Sequence, residues 1–170
     1  CHGWAGDAQI FSGMACYNSS SDLFYRKYLK ELCSLQSDDG AFPDMAPRNF
    51  GTGWDGRGGA GGNNCWGDAA VVIAWNLYTQ YGDVAVLQEY YDALCKWIDY
   101  LEVHSENGLR TEENGYGDHF SVESTPKGLT DTAWSAHSAD LVSKISTVLG
   151  KTDEAIHYQQ VFEQFRDAWL

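Results

Sequence analysis

Trp66-Gly67-Asp68-Ala69-Ala70-Val71-Val72-Ile73-Ala74-Trp75-Asn76-Leu77 is the stretch whose reading decides the architecture. From Ala69 onward the Ala, Val, Val, Ile, Ala and Trp side chains surround the whole circumference of a helix instead of one face, the mark of a helix packed on several sides. An inner helix of an all-α protein is therefore expected here. Gly67-Asp68 before it and Gly82-Asp83 after it are the residue types that cap and stop helices.

Outward from this segment, the neighbouring helices carry one-sided stripes. Leu87, Tyr91, Leu94, Ile98 and Leu101 form one, and Ala155, Tyr158, Phe162, Phe165 and Trp169 form another, with acidic and amide residues between them. Asp22 to Gln36 and Leu129 to Leu149 also read as helices, the latter stopped by Gly150, and Asp7 to Tyr17 as a shorter one. No segment alternates as a strand. Gly6-Asp7-Ala8, Gly67-Asp68-Ala69 and Thr130-Asp131-Thr132 each open a helix, so a unit of about sixty residues recurs, longer than a solenoid repeat and suited to a toroid of αα-hairpins. The spare length lies in two connections, Ser37 to Cys65 with eight glycines and His104 to Gly128. Loops of this length in a compact domain usually carry function, although Asn49 to Asn64 also reads as a disordered tip.

The 24 acidic against 11 basic residues give a formal charge of -13, which argues against nucleic acid or an anionic membrane as a partner. The longest apolar run, Ala69 to Trp75, is too short to span a bilayer. Five widely spaced cysteines without a Cys-x-x-Cys pair read as mostly buried thiols, and the scattered histidines offer no metal motif. His137 reads as a core or interhelix residue. Hydrolase elbows, phosphate-binding loops and dinucleotide fingerprints are absent, so no cofactor is expected.

What remains is the pairing of Trp with Asp in glycine-rich approaches to helices: Trp4 with Asp7, Trp66 with Asp68, and Asp118 with His119 in the last long loop. In a toroid these ends gather on one rim. An indole face suits the C–H side of a pyranose, and carboxylates accept its hydroxyls. The alternative is that Asp7, Asp68 and Asp131 are N-caps and the tryptophans core; the cap reading is preferred for Asp131, the sugar reading for the two Trp–Asp pairs. Trp75, Trp97, Trp134 and Trp169 lie on helical faces and are expected in the core.

Gly3-Trp4-Ala5-Gly6-Asp7-Ala8-Gln9, Pro43-Asp44-Met45-Ala46-Pro47, Trp66-Gly67-Asp68-Ala69-Ala70, Tyr81-Gly82-Asp83, Gly117-Asp118 and Ala136-His137-Ser138-Ala139 occur in an order and spacing that resembles glycoside hydrolase family 78, the α-L-rhamnosidases. The resemblance covers nearly the whole chain. It implies an (α/α)6 barrel, of which residues 1–170 form about three helix pairs, half of the ring. It also implies inverting hydrolysis of terminal α-L-rhamnosides, with an acid on the leaving oxygen and a carboxylate that activates water.

In the family pattern Glu-Arg-x-Gly-Trp-x-Gly-Asp, Trp4 and Asp7 match the Trp and Asp of the rhamnose pocket, Asp7 as a supporting carboxylate. The Glu general acid then falls just before Cys1 and the general base after Leu170, so these residues alone are expected not to turn over substrate. Trp66 matches a further pocket tryptophan. Cys1-His2 and Gly117-Asp118-His119 depart from the family's Arg and Gly-Asp-Trp, and an imidazole replaces an indole wall. Two other classes stay open: a non-catalytic sugar-binding or scaffold module, and an (α/α)6 glycosidase of other specificity. Half a ring is also expected to leave inner-helix apolar surface bare around Val71 to Trp75 and so to self-associate.

Overall fold

The computed structural model describes residues 3–47, 61–111 and 115–170. Most of the Asn49 to Asn64 tip, and Cys1-His2, lie outside the described residues. Six α-helices are found among those described: α1 (Ala5–Asn18), α2 (Asp22–Ser34), α3 (Ala69–Tyr81), α4 (Val84–Val103), α5 (Lys127–Val148) and α6 (Thr152–Trp169). They form three successive αα-hairpins. The first helices of the hairpins, α1, α3 and α5, lie side by side as an inner layer, while α2 and α4 touch outside them and α6 packs along α5.

As its apolar circumference demanded, α3 is the hub and meets α1, α2, α4 and α5. Ala69, Ala70, Val71, Ile73, Ala74 and Leu77 are buried. Gly82 ends it in the left-handed region (φ 69°), donating to Tyr78 O at 2.8 Å. Asp83 then caps α4, its carboxylate accepting from Val86 N at 3.1 Å and pairing with Arg26 of α2. The α4 stripe buries Leu87, Leu94, Trp97, Ile98 and Leu101 completely, each contributing about 1.5–3 kcal/mol of apolar transfer. On α5 the buried residues mix Leu141, Val142 and Ile145 with small ones such as Ser135, Ser138, Ala139 and Ser146, and Ser143 Oγ donates to Ala155 O (2.9 Å) where α6 lies along the helix.

Several sequence expectations change here. A short hairpin, β1 (Ser105–Glu106) with β2 (Leu109–Arg110), interrupts the last long loop. Its turn is Asn107-Gly108, both at positive φ (53° and 80°), a hairpin signal the helical periodicity overshadowed. Neither Asp7 nor Asp131 caps a helix: Asp7 is the third residue of α1, and Asp131 the fifth of α5, buried behind the loop. Of the four tryptophans assigned to the core, Trp97 is fully buried, Trp75 and Trp134 are half-buried, and Trp169 is 43% exposed because it ends α6. His137 is exposed, edge-on to Trp134.

The bare apolar surface is not on α3, which α1 and α5 flank on either side. It lies on α1 and α2, at Ile10, Phe11, Met14, Tyr17, Leu23 and Phe24. No helix among the described residues is long and apolar enough to cross a membrane. Cys16, Cys33, Cys65 and Cys95 are free thiols, all half-buried.

The second and third hairpins are joined through one carboxylate. Asp68, 0% exposed, accepts at Oδ1 from Trp97 Nε1 (2.9 Å, α4) and Ser138 Oγ (2.7 Å, α5), and at Oδ2 from Cys65 N (2.6 Å) and Asn64 Nδ2 (3.3 Å). Gly67 makes room for this, since a Cβ there would stand 2.4 Å from the Trp97 ring. Asp68→Ala would strand buried donors on three elements. We expect it to lower unfolding free energy by about 3 kcal/mol or more, read from the urea midpoint; a loss below about 1 kcal/mol would contradict the hub.

Candidate active site rim

The loops at the starts of α1 and α3 and the loop before α5 converge on one ring cluster. Residues 43–46 run beside the approach to α1: Trp4 bridges Met45, Ala5 N donates to Asp44 O (2.9 Å), and Ala46 N donates to Gly3 O (3.0 Å). Trp4 is thereby held half-buried where it meets the Tyr116 ring edge-on at 6.1 Å. Tyr116 also lies 4.3 Å from the Trp66 ring, and His119 stands edge-on to both Trp66 (5.7 Å) and Tyr116 (5.9 Å). Gly6 closes the cluster from below, because a Cβ there would stand 2.9 Å from the Trp66 ring.

Of the residues expected at a sugar site, Trp4, Trp66 and His119 are therefore brought together. Trp66 is only 6% exposed and backs the cluster instead of facing solvent. Asp7, exposed on the first turn of α1, shares with Trp4 a groove of about 830 Å³ between α1 and α2. Asp118 turns into its own loop, accepting from Thr125 Oγ1 at 2.9 Å, and is not drawn to the rings. Asp68 lies in the core with four donors around its two oxygens, so contact with a ligand would require breaking the hub.

Two residues central to the cluster were not singled out from the sequence as site residues. Tyr116, in the loop before α5, is the ring the others meet. Asp44 is fully buried; its Oδ2 accepts from Asn63 Nδ2 (2.8 Å) and Tyr116 Oη (3.1 Å), while Oδ1 has no partner among the described residues. A signal was available: Asp44 is the lone charge within Ala41-Phe42-Pro43-Asp44-Met45-Ala46. A carboxylate in an apolar run is buried with partners or not tolerated.

Among the described residues one mixed group of possible metal ligands occurs, Asp99, Glu102 and His157, on the outer helices α4 and α6 and away from the rings. The ring cluster itself offers no such set.

Comparison with known proteins gives the same architecture. Residues 2–170 match the family described as the bacterial alpha-L-rhamnosidase 6 hairpin glycosidase domain. An α-L-rhamnosidase of Streptomyces avermitilis is 42% identical over 168 residues, covering 98% of this chain and 15% of that protein. The crystal structure of a Streptomyces avermitilis α-L-rhamnosidase complexed with L-rhamnose matches with a TM-score of 0.88 at 40% identity, covering 99% of this chain and 16% of that one. The α-L-rhamnosidase from Dictyoglumus thermophilum matches with a TM-score of 0.88 at 30% identity, over 99% of this chain and 19% of that one. The chain thus spans less than one fifth of the length of these relatives.

Burial raises the Asp44 carboxyl to about 6, against the pull of its Asn63 and Tyr116 hydrogen bonds. Asp131 is likewise raised to about 6 by burial, with Arg110 opposing. A folded-state pKa above the unfolded value of about 3.9 means the folded chain holds a proton that the unfolded chain releases, so the stability from each group is full below pH 4 and lost as pH rises through 6. Asp44→Asn should remove its share of that slope. Between pH 4 and 7.5 the wild-type unfolding free energy should fall by about 2 kcal/mol more than that of the variant, measured by urea titration at each pH; parallel curves would contradict a raised Asp44.

Proposed function

Because this chain belongs to the family of bacterial α-L-rhamnosidase six-hairpin glycosidase domains, we propose that it supplies part of the sugar-binding rim of an enzyme that hydrolyses terminal α-L-rhamnosides with inversion. The observation that carries this reading is the meeting of Trp4, Trp66, Tyr116 and His119 from three different loops, with the exposed Asp7 carboxylate on the helix that Trp4 opens.

The chemistry follows from the side chains. The Trp4 face gives a flat apolar surface for the C–H side of a pyranose, and Asp7 accepts hydroxyl hydrogens in charge-assisted bonds. Asp7 is a supporting carboxylate: it orients the sugar and does not transfer the proton that cleaves the bond. Inversion needs two further carboxyl groups, about 6.5–9.5 Å apart to admit water between base and sugar. In the family pattern the acid stands before the position of Cys1 and the base beyond that of Leu170. A full-length enzyme carrying this segment would then be active, and residues 1–170 alone would bind sugar without cutting it.

His119 favours a second reading, an (α/α)6 glycosidase with another preferred sugar. Where the family has an indole, an imidazole meets Trp66 and Tyr116, leaving a smaller apolar wall and adding a hydrogen-bonding nitrogen. Calorimetry of the chain with L-rhamnose, D-mannose, D-glucose and D-galactose separates the two. L-Rhamnose should bind most tightly, with Trp4→Ala and Asp7→Ala each weakening it about tenfold, or ~1.4 kcal/mol. Preference for another pyranose would favour the second reading. Absence of binding to any of them, together with no hydrolysis of aryl α-L-rhamnosides by the full-length enzyme, would overturn both.

A further inference from the structure

We propose that Asp44 and Tyr116 form a latch that positions the ring cluster: Asp44 accepts the Tyr116 hydroxyl and so sets where Trp4, Trp66 and His119 meet. The role assigned to that cluster rests on the sugar-rim reading; the latch itself rests on geometry.

Asp44 ties together three segments that are distant in sequence. Its backbone oxygen takes Ala5 N at the start of α1, and its carboxylate takes Asn63 from the approach to α3 and Tyr116 from the loop before α5. Tyr116 in turn is the ring that Trp4, Trp66 and His119 all contact. Around Gly115-Tyr116-Gly117 the chain has no helix or strand of its own, so the hydroxyl end of the ring is where its orientation is set.

A purely structural filler would not need a carboxylate here. Oδ1 lies buried with no partner among the described residues, a cost of about 1–3 kcal/mol that an apolar side chain would avoid. The groups able to titrate around the latch are few. Tyr116 is pushed up to about 12 by burial and by the Asp44 charge. His119 packs on the Tyr116 ring, and the Asp131 carboxylate lies 3.0 Å from the Cβ position of Gly115. Ionisation of Asp44 strengthens its hold on the hydroxyl, because an ionised acceptor makes the stronger bond.

The test uses the whole chain with Tyr116→Phe, which keeps the ring and removes the hydroxyl, and with Asp44→Asn, which keeps the shape and removes the titration. Tryptophan emission reports the setting of Trp66 and Trp4 without any ligand. Wild type should show a step near pH 6 that persists in His119→Gln and Asp131→Asn, which exclude those neighbours as its origin, and that is lost in Asp44→Asn and Tyr116→Phe. L-Rhamnose affinity, by calorimetry at pH 7.5, should fall about fivefold in Tyr116→Phe while far-UV circular dichroism is unchanged.

A step that survives in Tyr116→Phe and Asp44→Asn overturns the latch, as does rhamnose affinity in Tyr116→Phe equal to wild type. If wild type shows the latch-dependent step yet binds no rhamnose, the latch stands and the sugar-rim reading falls.

Discussion

A single carboxylate, buried where the second and third hairpins meet, ties α3, α4 and α5 together. A carboxylate removed from water is tolerated only when donors replace its hydration, and Asp68 obtains them from an indole on α4, a hydroxyl on α5, and an amide and a side-chain amide on its own approach loop. Each donor reaches the same point, so the spacing of α3, α4 and α5 is tied to hydrogen-bond lengths and not to side-chain packing alone. Asn64 extends the network to Ser135 and to Arg110 of β2, which donates to His104 O at the end of α4. The rim is built on top of this network, since Trp66 stands two residues before Asp68.

The glycines of the repeated Gly-Asp-Ala motif acquire a physical meaning at this level. Gly6 receives the face of Trp66, and Gly67 receives the Trp97 ring. In both cases an indole occupies the space where a Cβ would stand. The third copy has Thr130 instead, and its Asp131 sits inside α5 and not at a start. Repetition of the motif was visible in sequence, but its cause, an aromatic ring from elsewhere in the fold, was not.

How far the sequence could be read follows from what each signal depends on. Helix periodicity depends on local spacing, so all six helices were found, and the all-round apolar character of α3 placed it in the inner layer. The hairpin at Asn107-Gly108 was passed over because two-residue strands carry no alternation. Asp68 looked like a ligand because Trp-Gly-Asp in a loop suggests one, and only the fold shows Trp97 and Ser138 arriving at its oxygens. Tyr116 and Asp44 are 72 residues apart in the chain. Their pairing is a product of topology, legible only in the oddity of an acid among Phe42, Pro43, Met45 and Ala46. The exposed face was assigned to α3 when it belongs to α1 and α2, because periodicity does not say which helix stands at an edge.

The two ends of the glycine-rich connection are pinned to each other, Phe42 O accepting from Gly62 N at 2.9 Å and Asp44 from Asn63 at 2.8 Å. Closure of a chain between such ends has an entropy that grows only logarithmically with length, about 0.6 kcal/mol for each doubling. The separation of residues 42–44 from residues 62–63 is therefore set by these bonds themselves. By this logarithm a change in the number of residues between those ends costs little in closure, so the anchor points of Trp4, Trp66 and Tyr116 answer to hydrogen-bond lengths and not to the length of chain that joins them.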